Sequence, residues 1–196
     1  MKYSDKFTGV ILGIQFIFLC LIFNSCNTRK GIIHNPVADK EQARKLIVFF
    51  DGTRSNEESY TNISKLYNLV SLQNDPKIAA IYLRGVGNGA DMAGMLLGSG
   101  LRKEVSKAYL FLAENYDHAR GDKIFLFGFS RGAYAARMLA GFIYSAGIVE
   151  LNQVEGSNRQ VFVRKMFDAH KGQKTIEERR TAIRNVSGQE LNTDEY

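Results

Sequence analysis

The sequence predicts an α/β fold, in which a parallel β-sheet is flanked by helices. The first observation is the continuous apolar run at residues 45–50 (KLIVFF), which is typical of a strand buried on both faces. The second is that runs of this kind alternate with segments of helical periodicity, as in successive β-α-β units. The third is composition: 45% of the residues are hydrophobic and 23% charged, as in an ordinary globular domain.

The elements can be placed in chain order from these patterns. Asp51-Gly52-Thr53 ends the first strand, and apolar residues at 63, 66, 67 and 70 then follow the spacing of one helix face. The second strand spans residues 78–83, and a second amphipathic helix includes residues 105–112. A third strand at 123–127 leads into an almost wholly apolar helix from Arg131 to Ser145. Residues 45–150 therefore form the predicted domain.

The N-terminal 25 residues have the pattern of an export signal. Two lysines precede an apolar run from Gly9 to Phe23, which is short for a membrane-spanning helix of about 20 residues. Cys26 directly follows a small residue, as in bacterial lipoprotein signals. We expect lipidation of Cys26, a polar tether over residues 26–44, and anchoring to a membrane of the bacterial cell envelope. Ordinary secretion and an uncleaved signal anchor are the alternatives.

Composition also restricts the partners. Both cysteines, Cys20 and Cys26, lie in the N-terminal segment, so the folded body has no disulfide and no cysteine-based metal site. The net charge is +6, but the basic residues are scattered, which is typical of a solvated surface rather than a nucleic-acid interface. We therefore expect no nucleic-acid partner, no cofactor and no metal.

The residues that carry chemistry are at 128–132 (GFSRG), between the third strand and the long helix. This G-x-S-x-G pattern, in a strand-turn-helix context, is that of the nucleophile elbow of α/β-hydrolases. There the serine takes a strained backbone conformation, and the residues two positions away must be small, as Gly128 and Gly132 are. The pattern predicts that Ser130 is the catalytic nucleophile. The N–H of Arg131, at the helix N-terminus, is then one donor of the oxyanion hole.

A second oxyanion donor is expected from the loop after the first strand. Asp51-Gly52-Thr53 follows that strand directly, so the N–H of Gly52 or of Thr53 is the predicted donor. Asp51 has two possible roles. Its carboxylate orients this loop by accepting hydrogen bonds from backbone N–H groups, or the residue only ends the strand.

Two other motifs are set aside. The stretch FFDGT is similar to the D-x-D-G-T motif of haloacid-dehalogenase-type phosphatases, but Phe49 stands where their nucleophilic aspartate is required. The stretch at 85–90 (GVGNGA) is similar to a dinucleotide fingerprint, but no clean helix opens after it and no ribose-binding acid is evident. A loop beside the active site is the favoured interpretation.

Taken together, LIVFFDGT, TNISKLY, YLRGVGNG and GDKIFLFGFSRGAYAARMLAGFI resemble the α/β-hydrolase domain of type VI secretion phospholipase effectors. The resemblance covers residues 45–147. It implies a serine esterase that acts on phospholipid acyl chains, with Ser130 as nucleophile and a later Asp and His completing the triad. Arg131, Arg137 and Asp51 fall within matching motifs, in supporting roles. An export signal departs from this family, whose members are loaded from the cytoplasm.

The later triad residues have no evident counterpart. Residues 151–196 are predicted to be helical or partly disordered, and residues 160–167 suit strand and helix equally. Of the three histidines, His34 lies in the tether and His118 precedes the third strand, so His170 is the only plausible base, with Asp168 or another acid orienting it. The favoured alternative is that His170 is a surface histidine without a catalytic role. We therefore expect an incomplete α/β-hydrolase-like fold that is weakly active or inactive by itself.

Two further hypotheses remain open. The first is a non-catalytic exported lipoprotein that uses the hydrolase scaffold for binding. The second is a partner chain that supplies the missing triad residues.

Overall fold

The protein is represented by a computed structural model. The structure describes residues 31–35, 42–53, 58, 60–85 and 99–193. The predicted signal segment, Cys26 and most of the glycine-rich stretch after residue 85 lie outside the described residues. The account below concerns the compact unit that begins at Gly31.

The described part contains a four-stranded sheet in the order β1-β3-β2-β4. Strands β2 (Lys45–Phe50), β3 (Ile78–Leu83) and β4 (Lys123–Gly128) are parallel, with β2 in the middle. Their register places Phe50 level with Leu83 and Gly128, so all three strands end at the same edge of the sheet. Strand β1 (Ile32–His34) pairs antiparallel with β3 and lies within the range predicted as tether. Three residues are too few for a periodicity that could have predicted it.

Five helices flank this sheet in the described part of the chain. They are α1 (Asn62–Gln73), α2 (Ser99–Asn115), α3 (Arg131–Ala146), α4 (Gly156–Lys171) and α5 (Ile176–Ser187). Alternate residues of β2 point to opposite faces: Ile47 and Phe49 pack with residues of α1, whereas Leu46, Val48 and Phe50 pack with residues of α2, α3 and α4. The predicted α/β class is confirmed.

The ambiguous segment at 160–167 is part of helix α4. Its buried residues Val163, Met166, Phe167 and His170 follow at i, i+3, i+4 and i+7, which is one face of a helix. Exposed residues such as Val161, Lys165 and Asp168 lie between these buried positions, on the side of the helix that faces solvent. Helix α5 begins at a capping box formed by Thr175 and Glu178. Within the residues described, none of the helices is both long enough and apolar enough to span a membrane.

Candidate active site

Ser130 lies in the sharp turn between β4 and α3. Strand β4 ends at Gly128, helix α3 begins at Arg131, and Ser130 has φ 54° and ψ −122°. A serine at positive φ is uncommon, and such strain costs about 1–3 kcal/mol and concentrates at functional sites. Ser130 is exposed at the edge where the parallel strands end. This position, at the carboxyl ends of the strands, is where open α/β sheets bind their ligands.

The two glycines of the motif are needed because backbone groups pack against both of them. A Cβ atom on Gly128 would lie 2.4 Å from the carbonyl oxygen of Gly132. A Cβ atom on Gly132 would lie 2.2 Å from the carbonyl oxygen of Phe50, at the end of β2. The Phe129 N–H donates to the same Phe50 oxygen at 3.1 Å. The turn is therefore packed onto the end of β2 without room for side chains.

The carboxylate of Asp51 organises the loop that follows β2. Asp51 is buried, and its Oδ1 accepts the Gly52 N–H at 2.7 Å. Its Oδ2 accepts the hydroxyls of Thr61, at 2.6 Å, and Tyr82, at 2.5 Å. Thr61 is also the N-cap of α1, since its Oγ1 accepts the Ser64 N–H. Asp51 thus links the ends of β2 and β3 to the start of α1. These contacts favour the interpretation that Asp51 orients the loop over the alternative that it only ends the strand.

The loops after β2 and β3 touch each other at two glycines. A Cβ atom on Gly85 would lie 1.3 Å from the carbonyl oxygen of Gly52, so only glycine fits at position 85. This contact holds the Gly52-Thr53 segment at the sheet edge that carries Ser130. Gly85 lies two residues beyond the end of β3, and the sequence analysis did not identify its contact with Gly52. Tyr82 and Thr61, the hydroxyl donors to Asp51, were also not identified from the sequence.

The predicted oxyanion donors differ in their hydrogen bonding. The Gly52 N–H is engaged by Asp51 Oδ1, whereas Thr53 is exposed and its N–H has no partner within the residues that the structure describes. Arg131 is the first residue of α3, and the N–H groups of a first helical turn are not used within the helix. A cavity of only about 10 Å³, lined by Arg131, Gly132 and Glu104 among others, lies beneath the turn. Burial raises the pKa of the Glu104 carboxyl.

The structure does not bring His170 to Ser130. The His170 ring lies 5.4 Å from that of Phe142 and 6.0 Å from that of Phe167, in a buried aromatic cluster. Phe142 is eleven residues beyond Arg131, which is roughly 17 Å along the axis of α3. Asp168, the predicted orienting acid, is exposed and forms an ion pair with Arg102 instead. The interpretation of these two residues as base and orienting acid is therefore not supported.

The other histidines are also distant from the turn. His34 is level with Ala80 on β3, three residues before the end of that strand. His118 is exposed in the loop before β4, at the opposite edge of the sheet. Among the described residues, no group of three or more His, Cys, Asp or Glu side chains could hold a metal ion.

The fold belongs to the α/β class, and a strained serine turn lies at the carboxyl ends of its parallel strands. A family model described as "T6SS, Phospholipase effector Tle1-like, catalytic domain" matches residues 44–195, and the chain belongs to this family. The resemblance inferred from the motifs is thus confirmed.

A curated relative gives the extent of the similarity. An uncharacterised protein of Saccharomyces cerevisiae, YEL023C, is 34% identical over 134 residues, which cover 59% of this chain and 19% of the relative. The chain therefore spans about a fifth of the length of the relative it matches. A comparison with solved structures found no match.

Proposed function

We propose that this chain is the nucleophile-bearing part of a serine hydrolase that acts on phospholipid esters. Membership of a phospholipase effector family indicates lipase or hydrolase-type chemistry on a lipid substrate, and a bacterial origin. The observation that carries the assignment to Ser130 is its backbone conformation, φ 54° and ψ −122°, in a turn with no room for side chains on either flanking glycine.

The proposed reaction begins with attack of Ser130 Oγ on the ester carbonyl carbon. The hydroxyl proton passes to a base, and negative charge develops on the carbonyl oxygen. The N–H groups of Arg131 and Thr53 are the proposed oxyanion donors, and we favour Thr53 over Gly52 because Asp51 already accepts the Gly52 N–H. The alcohol leaves with a proton, and water then hydrolyses the acyl-serine.

The base for this reaction is not found near Ser130 in the part of the chain that the structure describes. A serine without a base keeps its proton and is a weak nucleophile. Loss of a triad member leaves only the residual catalysis of the oxyanion hole and of binding. We therefore propose that the chain by itself is weakly active or inactive, and that a further polypeptide segment or partner chain supplies the acid and the base.

A fluorophosphonate probe and a nitrophenyl ester test this proposal together, with Ser130→Ala as the control. We expect the chain alone to label slowly and to turn the ester over little, with both signals abolished in Ser130→Ala. Sustained, Ser130-dependent turnover by the chain alone would contradict the missing base. Labelling that persists in Ser130→Ala would contradict the choice of nucleophile.

The second candidate function is a non-catalytic exported lipoprotein. It is favoured by the absence of an imidazole near Ser130 within the described residues, and it predicts no labelling under any condition.

Lipidation at Cys26 is common to both candidates and is tested by palmitate incorporation, which Cys26→Ala should abolish. Incorporation that is unchanged in that variant would contradict the anchor.

A further inference from the structure

The chain turns directly after β2, and the first peptide bond of this turn faces the serine turn with its carbonyl group. The Asp51 N–H still donates to Leu83 of β3, at 3.0 Å, as in a continuing strand. The Asp51 carbonyl oxygen lies on the opposite side of β2, 2.7 Å from where a Cβ atom on Gly132 would be. This peptide bond is trans, so its N–H, which belongs to Gly52, is antiparallel to the carbonyl. The Gly52 N–H is therefore directed away from the serine turn.

The second peptide bond of the turn, between Gly52 and Thr53, is reversed. A Cβ atom on Gly85 would lie 1.3 Å from the Gly52 carbonyl oxygen, 2.3 Å from its carbon and 3.1 Å from the Thr53 nitrogen, so the carbonyl points towards Gly85. Gly85 follows β3 and Ser130 follows β4, and β2 lies between these two strands. Because the N–H is antiparallel to the carbonyl, the Thr53 N–H points towards the side of β2 that carries Ser130.

Tyr82 and Asp51 together fix the first peptide bond. The Tyr82 side chain is fully buried, and its ring packs 5.3 Å from that of Tyr67. The Tyr82 hydroxyl donates to Asp51 Oδ2 at 2.5 Å, and Asp51 Oδ1 accepts the Gly52 N–H at 2.7 Å. Hydrogen bonds to an ionised carboxylate are strong, so donors on both oxygens restrict its rotation. The carboxylate in turn holds the Gly52 N–H.

Gly85 fixes the second peptide bond, because only glycine leaves room for the Gly52 carbonyl group. A larger residue at position 85 would place its Cβ atom on this carbonyl oxygen, and the peptide would have to rotate. The carbonyl and the Thr53 N–H belong to one rigid plane. A rotation that moves the carbonyl away from position 85 therefore also turns the N–H away from Ser130.

We propose that Tyr82 and Gly85 are positioning residues of the oxyanion hole, which direct the Thr53 N–H towards Ser130. Tyr82 acts through Asp51, and Gly85 acts by accommodating the carbonyl group of the same peptide. Donors that are fixed in advance stabilise the developing negative charge without a cost of reorganisation. This inference rests on the proposed function, because an oxyanion forms only if Ser130 attacks an ester.

Tyr82→Phe tests the proposal, with Tyr109→Phe as a matched control. Both tyrosines are fully buried and both hydroxyls are hydrogen-bonded, but the Tyr109 hydroxyl donates to Gly147 at the C-terminal end of α3. We expect fluorophosphonate labelling of the full chain to slow by about tenfold or more in Tyr82→Phe and by less than about twofold in Tyr109→Phe. An equal loss in both variants would overturn the role of Tyr82, since any buried hydroxyl would then have the same effect.

Nuclear magnetic resonance separates positioning from a general loss of stability. In the labelled chain the phosphoryl oxygen on Ser130 takes the place of the oxyanion, so the amide proton of Thr53 should move downfield on labelling. Tyr109→Phe should keep this shift and Tyr82→Phe should lose it, even when labelling is complete. A downfield shift of the Gly52 amide in place of Thr53, or a Thr53 shift that persists in Tyr82→Phe, would overturn the proposal.

Gly85→Ala tests the second positioning residue, and Gly141→Ala is its control because the added Cβ meets nothing within 4 Å. Gly85→Ala should lose the Thr53 shift, and Gly141→Ala should keep it. A native chain that is not labelled at all would contradict the proposed function. The amide signals of Gly52 and Thr53 in the free chain then decide the positioning: they should move in Tyr82→Phe and in Gly85→Ala, and unchanged signals in both variants would overturn it.

Discussion

The two ends of helix α3 differ in environment: the N-terminal end is exposed and strained, whereas the C-terminal end is buried among aromatic rings. At its N-terminus, Ser130 is exposed and its backbone is strained. The next turn of the helix is packed tightly, because Gly132 contacts the end of β2. At its C-terminal end Phe142 is fully buried, with the rings of Tyr109 at 4.5 Å, Phe167 at 5.3 Å and His170 at 5.4 Å. A conformation that is unfavourable by itself persists only where its surroundings enforce it. We infer that the aromatic end anchors the helix whose other end holds the serine.

The largest expected effect is at the aromatic end. Phe142→Ala removes a fully buried ring that contacts three others, so the free energy of unfolding should fall by about 3–5 kcal/mol. Tyr144→Ala, two positions away and largely exposed, should cost much less, and urea denaturation measures both. A similar loss in the two variants would show that the C-terminal end of α3 is not the anchor.

The next effect concerns His170 and pH. Burial, with a smaller effect from Arg179, lowers the pKa of His170 to about 4, so the folded state holds the ring neutral. The unfolded state, with an ordinary pKa near 6.5, binds more protons below that pH. The free energy of unfolding should therefore be highest above pH 6.5. As the pH falls from 6.5 to 4, it should decrease by at most about 3 kcal/mol, because protons bind His170 more readily in the unfolded state.

Denaturation at pH 7.5 and pH 4.5 checks this prediction. The free energy of unfolding should differ between these two pH values, and His170→Leu should reduce that difference by about 2–3 kcal/mol. His118→Leu, at an exposed position, should leave the difference unchanged. A pH dependence that is the same in His170→Leu and in the native sequence would contradict it.

At the other end, Gly132→Ala should disrupt the turn. The added Cβ meets the carbonyl oxygen of Phe50 and must displace backbone, which we expect to cost about 1–3 kcal/mol and to abolish fluorophosphonate labelling. Gly141→Ala is the matched control on the same helix, since its Cβ meets nothing within 4 Å. That variant should gain about 0.5–1 kcal/mol through helix propensity. Labelling that survives Gly132→Ala would show that the turn tolerates a shift.

The smallest effect isolates the strain at the serine. Glycine adopts positive φ without steric cost, so Ser130→Gly should raise the free energy of unfolding by about 1 kcal/mol relative to Ser130→Ala. Both variants lack the hydroxyl, so the difference reports only the backbone. Thermal unfolding resolves a shift of this size, and a Ser130→Gly variant that is no more stable than Ser130→Ala would mean that the turn stores no strain.

Much of the fold follows from the sequence because the signals are local. Strands β2, β3 and β4 were predicted within a residue, since a short continuous apolar run bounded by turn residues is typical of a strand. The turn at Ser130 was predicted because two glycines flank a serine between a strand and a helix. Strand β1 and the helical state of residues 160–167 were not, because the first depends on pairing with β3 and the second on burial against α2.

By itself the sequence determined the element order, the α/β class, and the position of one serine at a turn between a strand and a helix. These properties depend on periodicity and on the steric needs of single residues, which neighbours in the chain reveal. Only the tertiary structure decided that Gly85 touches Gly52, that Tyr82 donates a hydrogen bond to Asp51, and that His170 is buried among aromatic rings. Each of these is a contact between segments far apart in the chain, and no local pattern encodes it.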